Sequence, residues 1–237
     1  MTSAQAPAAP PSDSWAVVCD FDGTMCDVDV TDALLGRFAL PAWLDIERRW
    51  QMGEMSARQC MQEQVRLLRA APEELGAFLE TIEIDPGFRD FAAFCRKRGL
   101  PLSIASDGLD AVICRILSRH GLEDIPVMAN RLRSTGPRTY ELDFPHASLA
   151  CVSGHGVCKC ALASQARRRV LLVGDGASDF CLARRADFVL AKKSLIRHCE
   201  SLGIAHRGFS RFAEAPALLA ELLDDVPKPD KEHAVGR

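Results

Sequence analysis

The stretch Val17-Val18-Cys19-Asp20-Phe21-Asp22-Gly23-Thr24 decides the fold. An apolar run stops there on two aspartates with a single residue between them. A run without polar alternation fits a strand buried on both faces, the habit of parallel sheets covered by helices. In open α/β sheets ligands bind outside the carboxyl ends of the strands. A strand ending on Asp20 and Asp22 therefore delivers two carboxylates to the edge where a ligand would sit.

Outward from this stretch the arrangement recurs. Leu102 to Ala105 reads as a strand that ends on Ser106-Asp107-Gly108, a hydroxyl followed by a turn. Lys159 opens a predicted helix over 159–166. Val170 to Gly174 is a third buried strand, running into Asp175-Gly176-Ala177-Ser178-Asp179. Apolar runs alternating with polar turns and helices predict βαβ units. The expected fold class is α/β, a doubly wound, Rossmann-like parallel sheet. Taken singly, each acid could be a helix cap or a surface carboxylate. Taken together, Asp20, Asp22, Asp175 and Asp179 each lie just beyond an apolar strand, and four converging carboxylates are costly without a cation.

Between the first two strands the chain reads as helical over 29–83. Thr31 to Ala39 carries Ala33, Leu34, Leu35 and Phe38; Pro41 opens Ala42 to Gln51, with Trp43, Ile46 and Trp50 on one face. Ser56 to Gln59 is a capping-box start for a helix through Arg69. Pro72 takes a first helical position before Glu73 to Thr81. This predicts a small four-helix bundle inserted after the first strand. Asp85-Pro86-Gly87 marks the return to a main domain of 15–28 and 84–226. That domain adds a helix over Phe88 to Arg98, a hairpin around Ser134-Thr135-Gly136-Pro137, and a last helix near Ala213 to Leu223. Residues 1–14, rich in Ala, Pro and Ser, read as a disordered leader, and 227–237 as a flexible tail.

Composition narrows the classes. Of 237 residues, 48% are apolar and 26% charged, as in ordinary globular proteins, and the net charge of −3 gives no reason to expect a nucleic-acid partner. Arg167-Arg168-Arg169 reads as a solvated helix end ahead of a strand. No apolar run approaches the roughly 18 residues of a membrane span. The N-terminus lacks the basic start and apolar core of a signal peptide. The ten cysteines are scattered rather than framing a loop-rich scaffold, which suits reduced thiols in the cytoplasm.

Asp20-Phe21-Asp22-Gly23-Thr24, Ser106, Lys159 and Asp175 to Asp179 follow one another with gaps of 86, 53 and 16 residues. In that order they resemble the four motifs of the haloacid dehalogenase-like (HAD) phosphohydrolases. The helical insertion resembles the cap of subfamily IB, the group of phosphoserine phosphatase, which closes over the site and excludes water. The resemblance implies a phosphatase acting on a small-molecule phosphomonoester. Asp20 would be the nucleophile, forming an aspartyl-phosphate. Asp22 would protonate the leaving oxygen and then activate water. Ser106 and the backbone around Asp107 and Gly108 would hold the phosphoryl oxygens, and Lys159 would pair with phosphate and Asp20. Mg²⁺ would be held by Asp20, the Asp22 carbonyl and Asp175, with Asp179 bound directly or one layer out.

Within the superfamily the chain has its own marks. Asp29 stands nine residues after Asp20, where phosphoserine phosphatases carry a glutamate for the substrate's amino group. Asp107 stands in place of their glycine, and Ser178 in place of their asparagine. Pro41-Ala42-Trp43, Trp50 with Gly53 and Ser56, Ile84-Asp85-Pro86-Gly87-Phe88, and Phe144-Pro145-His146 with Cys151 and Cys158-Lys159 are more similar to methionine-salvage phosphatases acting on 2-hydroxy-3-keto-5-methylthiopentenyl-1-phosphate. Asp29 then reads either as a contact to the leaving group or as the start of the first insertion helix. His146, Cys151, Cys158 and Cys160 could brace the Lys159 loop around zinc, but their spacing is not a usual finger pattern and free thiols account for them better. His155, between Gly154 and Gly156, reads as a loop residue. The alternatives are a phosphoserine phosphatase-like enzyme, a phosphotransferase to an alcohol acceptor, and a non-catalytic binding protein. The last is disfavoured because every catalytic position is filled.

Overall fold

The computed structural model describes residues 14–151, 153–164 and 168–225. The expected tail, all of the leader but Ser14, and the end of the helix expected over 159–166 lie outside those residues. Strand β1 (Trp15–Cys19) is followed by four helices, α1 (Val30–Phe38), α2 (Trp43–Gln51), α3 (Ala57–Val65) and α4 (Pro72–Leu79). Helix α5 (Phe88–Lys97) leads into β2 (Leu102–Leu109), α6 (Asp110–Arg119) and the hairpin β3 (Val127–Gly136) and β4 (Thr139–Asp143). The second half contains α7 (Lys159–Ser164), β5 (Arg169–Gly174), a 3₁₀ turn over Ala177–Asp179, α8 (Phe180–Ala183), β6 (Phe188–Ala191), α9 (Lys193–Leu202), β7 (His206–Gly208) and α10 (Ala215–Asp225).

The strands form one sheet in the order β4-β3-β2-β1-β5-β6-β7, parallel except for the β3–β4 hairpin. The chain builds outward from β1 to β4, then restarts on the other side of β1 at β5. That reversal opens a crevice at the carboxyl ends of β2, β1 and β5, the kind of place where α/β sheets bind ligands. Cys19 is level with Ile104 and with Val173. Asp20, Ser106 and Asp175, one or two residues further along, therefore emerge together at this edge.

Both faces of the sheet are covered, and this produces the unbroken apolar runs. Val17, Cys19, Ile104, Leu171 and Val173 feed the larger core, while Val18, Ala105, Val170 and Leu172 feed the other. Leu34, Leu35, Val65, Leu75 and Leu79 of the inserted helices join the larger core, whereas α2 buries no residue. Ser56 and Gln59 form the expected capping box at the start of α3.

The structure departs from the sequence expectation at α3, at β2 and at two unanticipated elements. Helix α3 stops at Val65 rather than Arg69, because Leu40 N–H donates to the Leu67 carbonyl (3.0 Å) and Arg69 N–H to that of Phe38 (2.9 Å), pulling 67–69 into extended pairing. Strand β2 does not end at Ser106. Its pairing jumps from Ala105–Met128 to Leu109–Asn130, so residues 106–108 form a bulge that re-aims their polar groups. Helix α6 and strand β7 appear without having been anticipated. No helix among the described residues is long and apolar enough to cross a membrane.

Candidate active site

Asp20 leaves the end of β1 fully inside the protein, 4% exposed. Its Oδ1 accepts the Phe21 N–H (2.8 Å), and its Oδ2 faces Lys159 Nζ (2.9 Å) and accepts the Ser178 hydroxyl (3.2 Å). Lys159, on the first turn of α7, is equally buried and also donates to Asp179 Oδ1 (2.6 Å) and Ser178 Oγ (3.2 Å). The other Asp179 oxygen accepts the N–H groups of Asp175 (3.0 Å) and Gly176 (3.4 Å). Asp179 thus ties the turn after β5 to Lys159. Asp175 projects the other way, where its Oδ1 accepts the Thr24 hydroxyl (3.1 Å) and its Oδ2 meets Lys193 Nζ (3.2 Å).

Asp22 turns back over the sheet edge, its Oδ1 accepting the first amide of α1, Val30 N–H (2.9 Å). Ser106 is buried, with its Oγ accepting the Gly108 N–H (3.0 Å). Two glycines make this closeness possible. Gly23 has φ +71°, and a Cβ there would stand 2.2 Å from Asp175 Oδ2; a Cβ on Gly108 would stand 2.8 Å from Asp22 Oδ2. No side chain other than hydrogen fits either position.

The electrostatics are unbalanced toward negative charge. Burial, then the Asp179 charge, push the Asp20 carboxyl up to about 7, with Lys159 opposing. Burial, then Asp29, push Asp22 well above the usual carboxylate range. Burial would strip the Lys159 ammonium, but Asp179 and Asp20 outweigh it and raise its pKa above that of an ordinary lysine. One ligand oxygen from each of Asp20, Asp175 and Asp179 lies within 4.8 Å of the others. Three oxygen donors around a charge deficit fit a hard divalent cation.

Above these groups opens a cavity of about 370 Å³, floored by Asp20, Asp22, Ser106, Gly108 and Asp175. Its far wall comes from the inserted helices: Trp50, Ala57, Cys60 and Met61 supply apolar surface, and Asp29, Asp32 and Glu47 supply carboxylates. Asp29 is the N-cap of α1, its Oδ1 accepting Asp32 N–H (2.9 Å), and it also reaches the cavity. The Asp107 side chain lines the cavity beside His155. Among the described residues the candidate zinc set does not form a metal group: Cys151 lies beside Cys158, but Cys160 faces Cys181 (3.2 Å between sulfurs), and all ten cysteines are free. Sequence reasoning did not single out Thr24, Lys193, Ser178 as a ligand of Asp20, or His155 as a lining residue. Thr24 was legible as part of the first motif. Lys193 arrives from α9 on a left-handed residue, φ 43°, which carries no sequence signal in a lysine.

A buried carboxylate, an adjacent acid, a buried lysine and a carboxylate cluster meet on one sheet edge, and they mark a phosphatase of the HAD type. The family model of haloacid dehalogenase-like hydrolases matches residues 17–184, and the chain belongs to that family. It is similar to the 2-hydroxy-3-keto-5-methylthiopentenyl-1-phosphate phosphatase of Exiguobacterium sp., 32% identical over 87% of this chain and 97% of that one. The enzyme of the same name from Brevibacillus brevis is 28% identical over 91% of this chain and 99% of that one. A probable phosphoserine phosphatase from Vibrio cholerae shares the fold, with a TM-score of 0.63 at 18% identity, covering 91% of this chain and 68% of that one.

Proposed function

We propose that the chain is a Mg²⁺-dependent phosphatase that works through an aspartyl-phosphate on Asp20, and that its substrate is 2-hydroxy-3-keto-5-methylthiopentenyl-1-phosphate. The observation that carries the substrate reading is the cavity itself. Its polar floor suits a phosphoryl group, and its Trp50, Cys60 and Met61 wall suits a thioether tail, since sulfur and aromatic side chains pack well on sulfur. The relatives' names point the same way. Helices α1 to α4, over 29–83, act as the cap that closes on the leaving group. The ten free thiols suit a cytoplasmic enzyme.

In the first step an Asp20 carboxylate oxygen attacks phosphorus, the ester P–O bond breaks, and Asp22 gives its proton to the leaving oxygen. Burial and the Asp29 charge raise the Asp22 pKa, which favours the protonated form that a general acid needs. In the second step water attacks the phosphoryl group, Asp22 takes its proton, and the Asp20 carboxylate is restored as phosphate leaves. Ser106 and the amides of the 106–108 bulge bind the phosphoryl oxygens, and Lys159 offsets the charge of Asp20 and phosphate. Asp20, Asp175 and the Asp22 carbonyl, with Asp179 adjoining, would hold Mg²⁺, which would supply positive charge to offset the repulsion between the carboxylate and the anionic ester.

The Asp29, Asp32 and Glu47 carboxylates on the wall favour a second reading, an amino-bearing leaving group such as that of phosphoserine. Glu47, however, already accepts Gln64 Nε2 (3.0 Å), and Asp29 caps α1. Phosphate release from a panel of esters separates the two. The keto ester is expected to exceed L-phosphoserine in kcat/KM by roughly a hundredfold; the reverse order would overturn the substrate reading. Transfer to added alcohols, scored in the same assay as phosphorylated product, tests the phosphotransferase alternative.

Asp29 has two jobs on this reading. Asp29→Ala is expected to cost about 1 kcal/mol of stability from the lost cap. It is also expected to lower kcat/KM more on the keto ester than on 4-nitrophenyl phosphate, whose aryl group makes no specific contact with the cap. An equal loss on both esters, tracking the lower melting temperature, would leave only the capping role.

A further inference from the structure

Asp107 stands in the phosphate-binding bulge, yet its carboxylate is spent elsewhere. Oδ2 lies 2.7 Å from His155 Nδ1, a charge contact without hydrogen-bond alignment, and Oδ1 accepts the Val157 N–H (2.7 Å). Asn130 Nδ2 donates to the Asp107 carbonyl, fixing the bulge from β3. The loop carrying His155 is anchored from the opposite side as well, because Arg58 N–H at the start of α3 donates to the Gly154 carbonyl (3.2 Å). His155 therefore sits where the phosphate end of the cavity meets the cap wall, its side chain 14% exposed and lining the cavity. With Nδ1 facing the Asp107 carboxylate, Nε2 is the ring nitrogen left to face a ligand, and it donates when the ring is the imidazolium. Burial disfavours the charged ring, but the adjacent Asp107 carboxylate outweighs it and raises the His155 pKa.

The chemistry of the wall explains what such a ring would be for. Asp29, Asp32 and Glu47 bring only negative charge to the cap side, and Lys193, on the floor, is already paired with Asp175. A leaving group rich in oxygen acceptors needs a donor there. We propose that His155, clamped by Asp107, determines specificity by donating its Nε2–H to an oxygen of the leaving group close to the ester. The inference rests on the phosphatase reading with the leaving group in this cavity, and not on the identity of the ester.

Steady-state kinetics of His155→Ala, His155→Gln and Asp107→Asn test it, with 2-hydroxy-3-keto-5-methylthiopentenyl-1-phosphate and 4-nitrophenyl phosphate as probes. His155→Ala is expected to lower kcat/KM on the keto ester by about 10–100-fold, mainly through KM, as for one lost hydrogen bond to a charged group. The aryl ester, with no acceptor near its ester oxygen, should change by less than about threefold. His155→Gln, which keeps an N–H donor, should recover part of the loss, and Asp107→Asn should lose selectivity in the same direction as His155→Ala. Equal losses on both probes, or losses that track a lower melting temperature, would overturn the proposal in favour of a loop-bracing role. Should wild-type enzyme prefer L-phosphoserine, the substrate reading fails while the same contrast between alkyl and aryl ester still decides the role of His155.

Discussion

Asp20→Asn is expected to lower phosphate release by at least about a thousandfold, as nucleophile removal does in other covalent hydrolases. The fold should survive. The change is nearly isosteric at a 4% exposed position, the side-chain oxygen can still accept Phe21 N–H, and Lys159 keeps Asp179 and Ser178 as partners. Asp20 is moreover a carboxylate that burial and Asp179 hold above its ordinary pKa, so a neutral amide there relieves repulsion. The melting temperature of the metal-free variant should equal or exceed that of wild type. A variant retaining more than about a tenth of wild-type turnover would refute the aspartyl-phosphate mechanism.

The fold was legible because its central strands are buried on both sides. The apolar runs at 17–19 and 170–174 are unbroken, 102–105 is interrupted only by Ser103, and each ends on the polar residues of the site. What escaped had a non-local origin. Helix α3 was read through Arg69 because its apolar spacing continues that far. The chain leaves the helix for backbone pairing with residues 38–40, a contact that no window of sequence contains. The shift in β2 pairing between Ala105 and Leu109 is set by β3. Strand β7 is only three residues long, half-buried to exposed, and carries no pattern of its own.

The site divides in the same way. Asp20, Asp22, Ser106 and Asp175 lie within three residues of a buried strand run, so their position follows from the strand. Lys159 and Asp179 followed from their resemblance to motif residues. Asp107 was read as a phosphate neighbour through its backbone, yet its side chain acts on a loop 48 residues further on, at His155. Asp29 was left between two roles, and its geometry serves the cap while keeping it on the cavity. A carboxylate's direction depends on which partners the fold brings near it, and spacing along the chain does not encode that.

Removal of the metal is the other large effect expected. Exhaustive EDTA treatment should reduce turnover to background, and added Mg²⁺ should restore it, because the donors at the cluster are all oxygen and one lysine cannot balance them. Full activity without metal would sink the assignment. The same charge deficit predicts a pH dependence of stability in the metal-free protein. Asp20 titrates from 3.8 in an unfolded chain to about 7 in the fold, so between those values the folded state binds the extra proton. Stability contributed by this group is therefore full below about pH 4 and falls as pH rises toward 7. Burial also raises Asp22, Asp29 and Asp32, which therefore titrate in the same direction, so the readout is the difference in melting temperature between wild type and Asp20→Asn. That difference should grow against wild type from about pH 5 to about pH 8 in EDTA. Saturating Mg²⁺, which binds the folded state alone, should shrink it at the upper pH. A gap that is independent of pH, or that widens with Mg²⁺, would mean that Asp20 does not carry the unbalanced charge that a divalent cation is proposed to neutralise.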